Sequence, residues 1–135
     1  MQQHISVEML NELSPEARER LRTWWKPQWG DVYWLPPYHT LHVVTYCDET
    51  GIKPLGYWPC YRQQKSEVLP LLSIGQLIEL LSQRGRMGLT SPWPIPMAPS
   101  HTTWRVSCSA MRQPDKTADE PIHALWDAAK AVLGL

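Results

Sequence analysis

The chain has 135 residues, of which 43% are hydrophobic and 19% are charged, and its 13 basic side chains balance 13 acidic ones. This length is typical of one globular domain with a core of its own. A formal charge of zero argues against the basic footprint of a protein that works on nucleic acid or on an anionic membrane. The sequence also lacks the apolar run of about 18 residues that a membrane-spanning helix needs.

The cysteines and the aromatic residues indicate the expected compartment and the composition of the core. Cys47, Cys60 and Cys108 fit neither a disulfide framework nor a C-x-x-C metal motif. The first ten residues lack the basic and apolar segments of a secretion signal, so we expect a cytosolic protein with reduced thiols. Eight Trp and five Tyr occur beside no Phe. Tryptophan is therefore expected to supply most of the large apolar side chains of the core.

The first strong helix signal is Ser14 followed by Pro15. The Ser hydroxyl can cap the helix, and Pro is favoured at the first helical position. Pro27 ends the helix, whose apolar face repeats at helical spacing through Ala17, Leu21, Trp24 and Trp25. A short helix is also predicted within residues 1–13.

Strands are predicted next. The aromatic run Val32–Leu35 is closed by two prolines, and residues 41–47 alternate in polarity as a strand does. Apolar residues occur on both faces of 41–47, so both faces are expected to be partly covered. Residues 52–58 are expected to return as a hairpin partner, and Pro54 confines that partner to a sheet edge.

The best-signalled element is a helix that begins after Ser73. Ser73 and Gln76 form an S-x-x-Q capping box, and Gly85 is expected to end the helix in a left-handed conformation. The predicted apolar face consists of Ile74, Leu77, Ile78 and Leu81.

The last third of the chain begins with a proline-rich stretch. Residues 86–101 predict an extended surface loop, because their four prolines are incompatible with a helix or a central strand. A strand over 103–109 is expected to bury Trp104, Val106 and Cys108. Asp119 or Glu120 then caps a final helix, whose apolar stripe comprises Ile122, Leu125, Trp126, Ala129, Val132 and Leu133.

These elements predict one α+β domain over residues 1–135. About three helices pack on a small, mainly antiparallel sheet of three to four strands.

Three stretches also carry a family resemblance: Trp25-Lys26-Pro27 with Gly30-Asp31 and Trp34, the run from Leu69 to Gly85, and Glu120-Pro121 leading into the Ala124–Ala129 segment. In this order they resemble short, uncharacterised proteins of phages and prophages. The shared motifs are structural, so the resemblance implies a lineage and a fold and no activity.

The aromatic side chains are the strongest indication of function in the sequence. Most of them are expected in the core, but Trp29 and Trp93 lie on no periodic stripe and are expected at the surface. We therefore predict a non-enzymatic protein without a cofactor that acts by protein–protein contact, with a homo-oligomer as one form of it. The predicted contact residues are Trp29, Tyr33, Tyr38 and Trp93.

Three alternatives remain open at this stage. A single-stranded nucleic acid would stack on the aromatic rings and meet Arg18, Arg22 and Lys26. A metal-dependent enzyme would use His39, His42 and Cys47 as ligands, although alternation along a strand separates two histidines three positions apart. A cysteine nucleophile would pair Cys108 or Cys60 with His123, but Cys108 lies on an apolar strand face, where a thiol is inert.

Overall fold

The structure is a computed structural model, and it describes residues 1–48, 51–54, 63–92 and 103–134. The α+β class is confirmed, with four α-helices and seven strands in this part of the chain. The chain divides into two compact units. We call Ser6–Leu72 the hairpin unit, and Met1–Ile5 together with Ser73–Leu135 the meander unit. The prediction of a single domain stays a prediction.

The hairpin unit opens with two helices, α1 (Val7–Asn11) and α2 (Pro15–Trp24). The predicted start of α2 is confirmed, because the Ser14 hydroxyl accepts a hydrogen bond from the Ala17 N–H at 3.1 Å. Ala17, Leu21 and Trp25 are buried, and Trp24 is half-buried. The apolar face of α2 is therefore a core face, as its spacing predicts.

The sheet of the hairpin unit has four antiparallel strands: β1 (Val32–Leu35), β2 (Thr40–Asp48), β3 (Gly51–Pro54) and β4 (Leu69–Pro70). Their order is β3-β2-β1-β4. On the far side of β3, the Ile52 main chain exchanges two hydrogen bonds with Gln63, at 2.7 and 2.8 Å, so the edge position predicted from Pro54 is not confirmed. Residues 55–58 of the predicted hairpin partner lie outside the described residues. The strand β4 has no signal in the sequence, because two residues are too few to show a period.

The meander unit contains α3 (Ile74–Arg84), β5 (Met87–Thr90), β6 (Trp104–Cys108), β7 (Lys116–Ala118) and α4 (Pro121–Leu133). The three strands form an antiparallel meander in the order β5-β6-β7. The prediction of one sheet with three to four strands is therefore wrong in its finer part. The loop predicted over 86–101 begins with a strand, because the prolines start only at Pro92. The rest of the predicted loop, residues 93–101, lies outside the described part of the chain.

The sequence signals of the two long helices of the meander unit are confirmed in part. Glu120 is the N-cap residue of α4, but its side chain makes no capping hydrogen bond. Ser73 and Gln76 form the predicted capping box, with hydrogen bonds of 3.1 and 2.9 Å. Gly85 does not end α3 in a left-handed conformation, since its φ of 175° is extended. Glycine is needed there because a Cβ atom would collide with Ser109 and Ala110.

The buried residues of α3 and α4 largely coincide with the apolar faces predicted for these helices. On α3 the fully buried residues include Leu80 beside Leu77 and Leu81, while Ile74 and Ile78 are half-buried. On α4 the predicted stripe is buried through Ala129 and is widened by Ala124 and Ala128. No helix in the described part of the chain is long and apolar enough to cross a membrane.

Candidate interaction surface

Large hydrophobic side chains at the surface are concentrated in the hairpin unit. Among the described residues they are Met1, Trp29, Tyr38 and Leu41, so three of the four fall within thirteen consecutive positions. The predicted exposure of Trp29 is confirmed, with 83% of the residue accessible. Trp93, predicted beside it, lies outside the described residues.

The hairpin of β1 and β2 alternates in burial along both strands. One face is buried in the core and consists of Tyr33, Leu35, His42 and Val44. The opposite face, which we call the outer face, consists of Val32, Trp34, Leu41 and Val43. Three of its residues are half-buried, and Leu41 is 57% exposed. An antiparallel sheet with one solvated face normally carries polar residues there, but every residue of the outer face is apolar.

Strand pairing holds the four residues of the outer face together. Trp34 lies directly opposite Leu41, and Val32 lies opposite Val43. Directly opposed residues share one face of the sheet, and their side chains are in contact range. The outer face is therefore one continuous apolar surface two residues wide.

The connection between β1 and β2 extends this surface. Pro36–Tyr38 form a 3₁₀ turn that is closed by a hydrogen bond of 3.3 Å from the His39 N–H to the Pro36 carbonyl. His39 adopts a left-handed conformation with a φ of 50°, and its ring meets Trp34 edge-on at a centroid distance of 5.8 Å. The exposed Tyr38 thus sits beside a histidine that packs on the outer face.

Trp29 lies at the other end of the hairpin, in a turn fixed by hydrogen bonds. Gly30 donates to the Val44 carbonyl and Val44 donates to the Asp31 carbonyl, both at 2.8 Å. The Asp31 carboxylate accepts from the Trp25 indole and from the Gln28 N–H, both at 3.0 Å. Trp29 is therefore exposed within a bonded turn.

The buried face of the hairpin contains a polar cluster. The Tyr33 hydroxyl donates to the Gln63 side-chain oxygen, and the Tyr33 ring lies 5.4 Å from that of His42. Burial lowers the pKa of His42. The prediction of Tyr33 as a contact residue is corrected, because Tyr33 is fully buried. Its position on β1 places its ring in the core. No pattern in the sequence identified Gln63 as its hydrogen-bond partner.

The three residues of the metal alternative occupy different environments. His42 is buried, whereas His39 and Cys47 are exposed. Partial desolvation of the thiol, and then the neighbouring Asp48, raises the pKa of Cys47, which disfavours the thiolate form that binds metals. Among the described residues, no three His, Cys, Asp or Glu side chains converge on a common point.

The thiol considered as a nucleophile is buried. Cys108 lies on β6 beside the buried Val106, and its sulfur contacts the Leu81 carbonyl at 3.7 Å. This is the environment that the alternation of β6 predicts, and buried structural thiols of this kind are inert. Cys60 lies outside the described residues.

Two of the three basic residues proposed for nucleic-acid binding hold the hairpin unit together. The Arg22 Nε donates to the Val68 carbonyl at 2.8 Å, and another of its nitrogens pairs with Glu19 at 2.9 Å. Arg18 donates to the Asn11 carbonyl at 3.3 Å. Lys26 is exposed. Both guanidinium groups therefore donate hydrogen bonds to main-chain oxygens of the hairpin unit. These contacts stabilise the fold.

Comparisons with known proteins do not identify a family for this chain. No protein-family model matches the chain, and no curated protein or solved structure is significantly similar to it.

Proposed function

We propose that the protein acts without catalysis, by protein–protein contact through the outer face of its β1–β2 hairpin. The observation that carries this proposal is the mismatch between burial and polarity on the hairpin. Burial alternates between the two faces, but all four residues of the outer face are apolar, whereas the buried face includes His42. Apolar area left in water costs about 25 cal/mol for each Å² that association would cover.

The residues around the outer face support the same function. Trp29 and Tyr38 flank it at the two ends of the hairpin, and they are among the most exposed large side chains described. Trp and Tyr are enriched at the centres of protein interfaces, because they bury much area and lose few rotamers. Both also lie in turns closed by main-chain hydrogen bonds, so the backbone that carries them is already ordered before binding.

The chemistry of the outer face favours a protein over a nucleic acid. Its four side chains carry no charge, and a nucleic-acid surface needs basic groups to replace counterions along the backbone. The lineage suggested by the three sequence motifs, that of short phage and prophage proteins, stays a prediction from the sequence.

A capture experiment tests the proposal. Tagged wild-type chain is recovered from cells that also make the untagged chain, and retained proteins are identified by mass spectrometry. Leu41→Glu places a charge on the outer face at a site that is already exposed. We expect it to reduce retention of a specific protein by about tenfold or more, the effect of a hot-spot change.

The matched control is Thr117→Glu, which adds the same charge at an exposed strand position of the meander unit. It should retain what the wild type retains. Identical retention by all three forms would overturn the proposed function. Oligonucleotide binding that weakens steeply with salt and is unaffected by Leu41→Glu would favour the nucleic-acid alternative instead.

A further inference from the structure

Strand β5 forms an open edge of the meander sheet. The N–H of Ser109, which follows β6, donates to the Arg86 carbonyl at 2.8 Å, so the main chain of Arg86 faces β6. Main-chain groups alternate in direction along a strand, and those of Met87 and Leu89 therefore face away from β6. Among the described residues, no strand pairs with β5 on that side and no other main-chain group bonds to these two residues. Each of them thus offers an N–H and a carbonyl at the edge.

The edges formed by β4 and β7 offer less to a pairing strand. At β4, the Leu71 N–H donates to the Val32 carbonyl at 2.9 Å, so Pro70 is the residue that faces outward, and proline has no N–H. On β7, Thr117 lies opposite Arg105, whose main chain faces β5. Thr117 is therefore the one residue of β7 that faces outward, and β5 presents twice as many main-chain groups.

Strand β5 also lacks the features that close an edge to pairing. Proteins protect open edges with prolines, bulges or charged side chains. The sequence of β5 is Met-Gly-Leu-Thr, and its register with β6 is regular from Met87 to Thr90. Met87 and Leu89 are half-buried, so their apolar side chains are only partly covered. An added strand would therefore meet both main-chain groups and apolar surface at this edge.

The charge around this edge indicates the chemistry of the added strand. The chain as a whole is neutral, but residues 80–114, which include β5 and β6, contain four Arg and no acidic residue. Arg84 and Arg86, which flank the start of β5, are exposed. Neither forms an ion pair within the described part of the chain. An acidic segment complements this surface, whereas a basic segment would be repelled by it.

We propose that the open edge of β5 binds an extended acidic segment of another protein, which adds a fourth strand to the meander sheet. Addition of a strand to a sheet edge is a recurring mode of peptide recognition. Main-chain hydrogen bonds provide the affinity, and alternate side chains provide the specificity. This contact uses residues of the meander unit, so it is independent of the function proposed for the outer face of the hairpin.

An antiparallel orientation, like that of the three strands already present, sets the register of the added strand. Residues of the segment that exchange hydrogen bonds with Met87 and Leu89 lie directly opposite them, on the same face of the sheet. This face includes the buried Val106 and Cys108, so apolar residues fit there. The residues in between lie on the face of Arg86, where a carboxylate can pair with its guanidinium group. The predicted pattern is an alternation of apolar and acidic residues.

A nuclear magnetic resonance titration with a synthetic peptide tests the inference. The acidic probe alternates Val and Glu over about six residues, the length of an ordinary strand, and is blocked at both ends. It is added up to about 2 mM, because a short added strand binds weakly. The amide signals of Met87 and Leu89 should move and exchange more slowly with solvent. The Thr117 amide, which faces outward at β7, is the internal control and should stay unchanged.

Two methylated forms of the acidic probe separate strand addition from charge attraction alone. N-methyl groups on the Val residues remove the donors that face β5 in the antiparallel register, and they should weaken binding by about tenfold or more. N-methyl groups on the Glu residues lie on the far side of the added strand and should change the affinity by no more than about twofold. Equal affinities of the three acidic probes overturn the inference, because main-chain pairing would then contribute nothing.

Variants of the chain locate the site. Leu89→Pro removes an outward N–H but no hydrogen bond to β6, and it should weaken binding of the acidic probe by several-fold or more. Arg86→Gln should weaken it by about two- to fivefold. The matched control is Lys26→Gln, which removes one exposed positive charge from the hairpin unit and should bind the probe as the wild type does.

Three results overturn the inference. One is a wild-type chain whose Met87 and Leu89 amides do not respond to the acidic probe. Another is an affinity that both Arg86→Gln and a folded Leu89→Pro leave unchanged. The third is tight binding of an oligonucleotide that leaves both amides unshifted, which would assign the Arg residues to a nucleic acid. Circular dichroism establishes that each variant is folded, and the methylated probes decide the matter on the unaltered chain if Leu89→Pro is not.

Discussion

Helix α4 of the meander unit and the β1–β2 hairpin of the hairpin unit differ in the burial of their apolar residues. On α4, Leu125 and Trp126 are buried, and outward positions are polar, with Asp127 paired to Lys130 at 3.1 Å. On the hairpin, Leu41 is apolar and exposed. Where the apolar residues of an element are all buried, they form part of the chain's own core. Where an apolar residue is exposed, it belongs to a surface that another molecule can cover.

The largest expected difference between the two regions comes from removing one leucine side chain in each. Leu125→Ala leaves a cavity in the fully buried core of α4 and should lower the free energy of unfolding by about 2–5 kcal/mol. Leu41→Ala removes an exposed side chain and should change it by no more than about 0.5 kcal/mol. Urea unfolding followed by circular dichroism measures both.

Equal losses for the two alanine variants would contradict the comparison. They would mean that Leu41 is covered within its own chain, and the outer face would then be part of the core.

A second pair of variants compares the two fully buried tryptophans. The Trp25 indole donates to Asp31 at 3.0 Å, whereas the Trp126 indole nitrogen has no hydrogen-bond partner among the described residues. Replacement by Phe removes similar volume in both cases. Trp25→Phe also leaves a carboxylate with one bond fewer, so it should cost about 1–3 kcal/mol more than Trp126→Phe.

Thermal and urea unfolding of the two Phe variants give this difference directly. A cost for Trp126→Phe that equals or exceeds that for Trp25→Phe would show that the hydrogen bond to Asp31 contributes nothing to the hairpin unit.

The smallest expected effect is a pH dependence confined to the hairpin unit. Burial lowers the pKa of His42 below its ordinary value of 6.5, so the unfolded chain takes up this proton before the folded chain does. The stability linked to His42 is therefore complete above pH 6.5 and is lost as the pH falls through the lowered pKa of the folded state. The urea midpoint should fall across this window.

His42→Gln removes the titrating group, and its urea midpoint should fall less than that of the wild type between about pH 7 and pH 5. Identical profiles for the two proteins would show that His42 does not contribute to the acid sensitivity.

Several elements could be predicted because their signals are local. Ser14 with Pro15 fixes the start of α2, and Ser73 with Gln76 fixes the start of α3, since a capping hydroxyl acts within its own turn. The core position of Trp25 and the exposure of Trp29 also follow from periodicity. Tyr33 was misplaced because a run of aromatic residues in a strand shows no polar face from which the inward side could be read.

Other elements depend on pairing with distant residues. The strands Leu69–Pro70 and Lys116–Ala118 have two and three residues and exist because a neighbouring strand offers hydrogen bonds. Gly85 lies where an added Cβ atom would come too close to Ser109, which is 24 positions away in the sequence. These features have no local signature, and the sequence pattern alone does not place them.

The sequence by itself determined the α+β class, the N-terminal caps of α2 and α3 and the apolar stripes that form the core, because these depend on contacts within one turn or one strand. Only the tertiary structure decided the division into two sheets and the face of the hairpin that carries Leu41 outward. That choice depends on which side of β1 and β2 packs against Trp25 and the core. Polarity could not reveal it, because the outward side is apolar and the inward side includes His42.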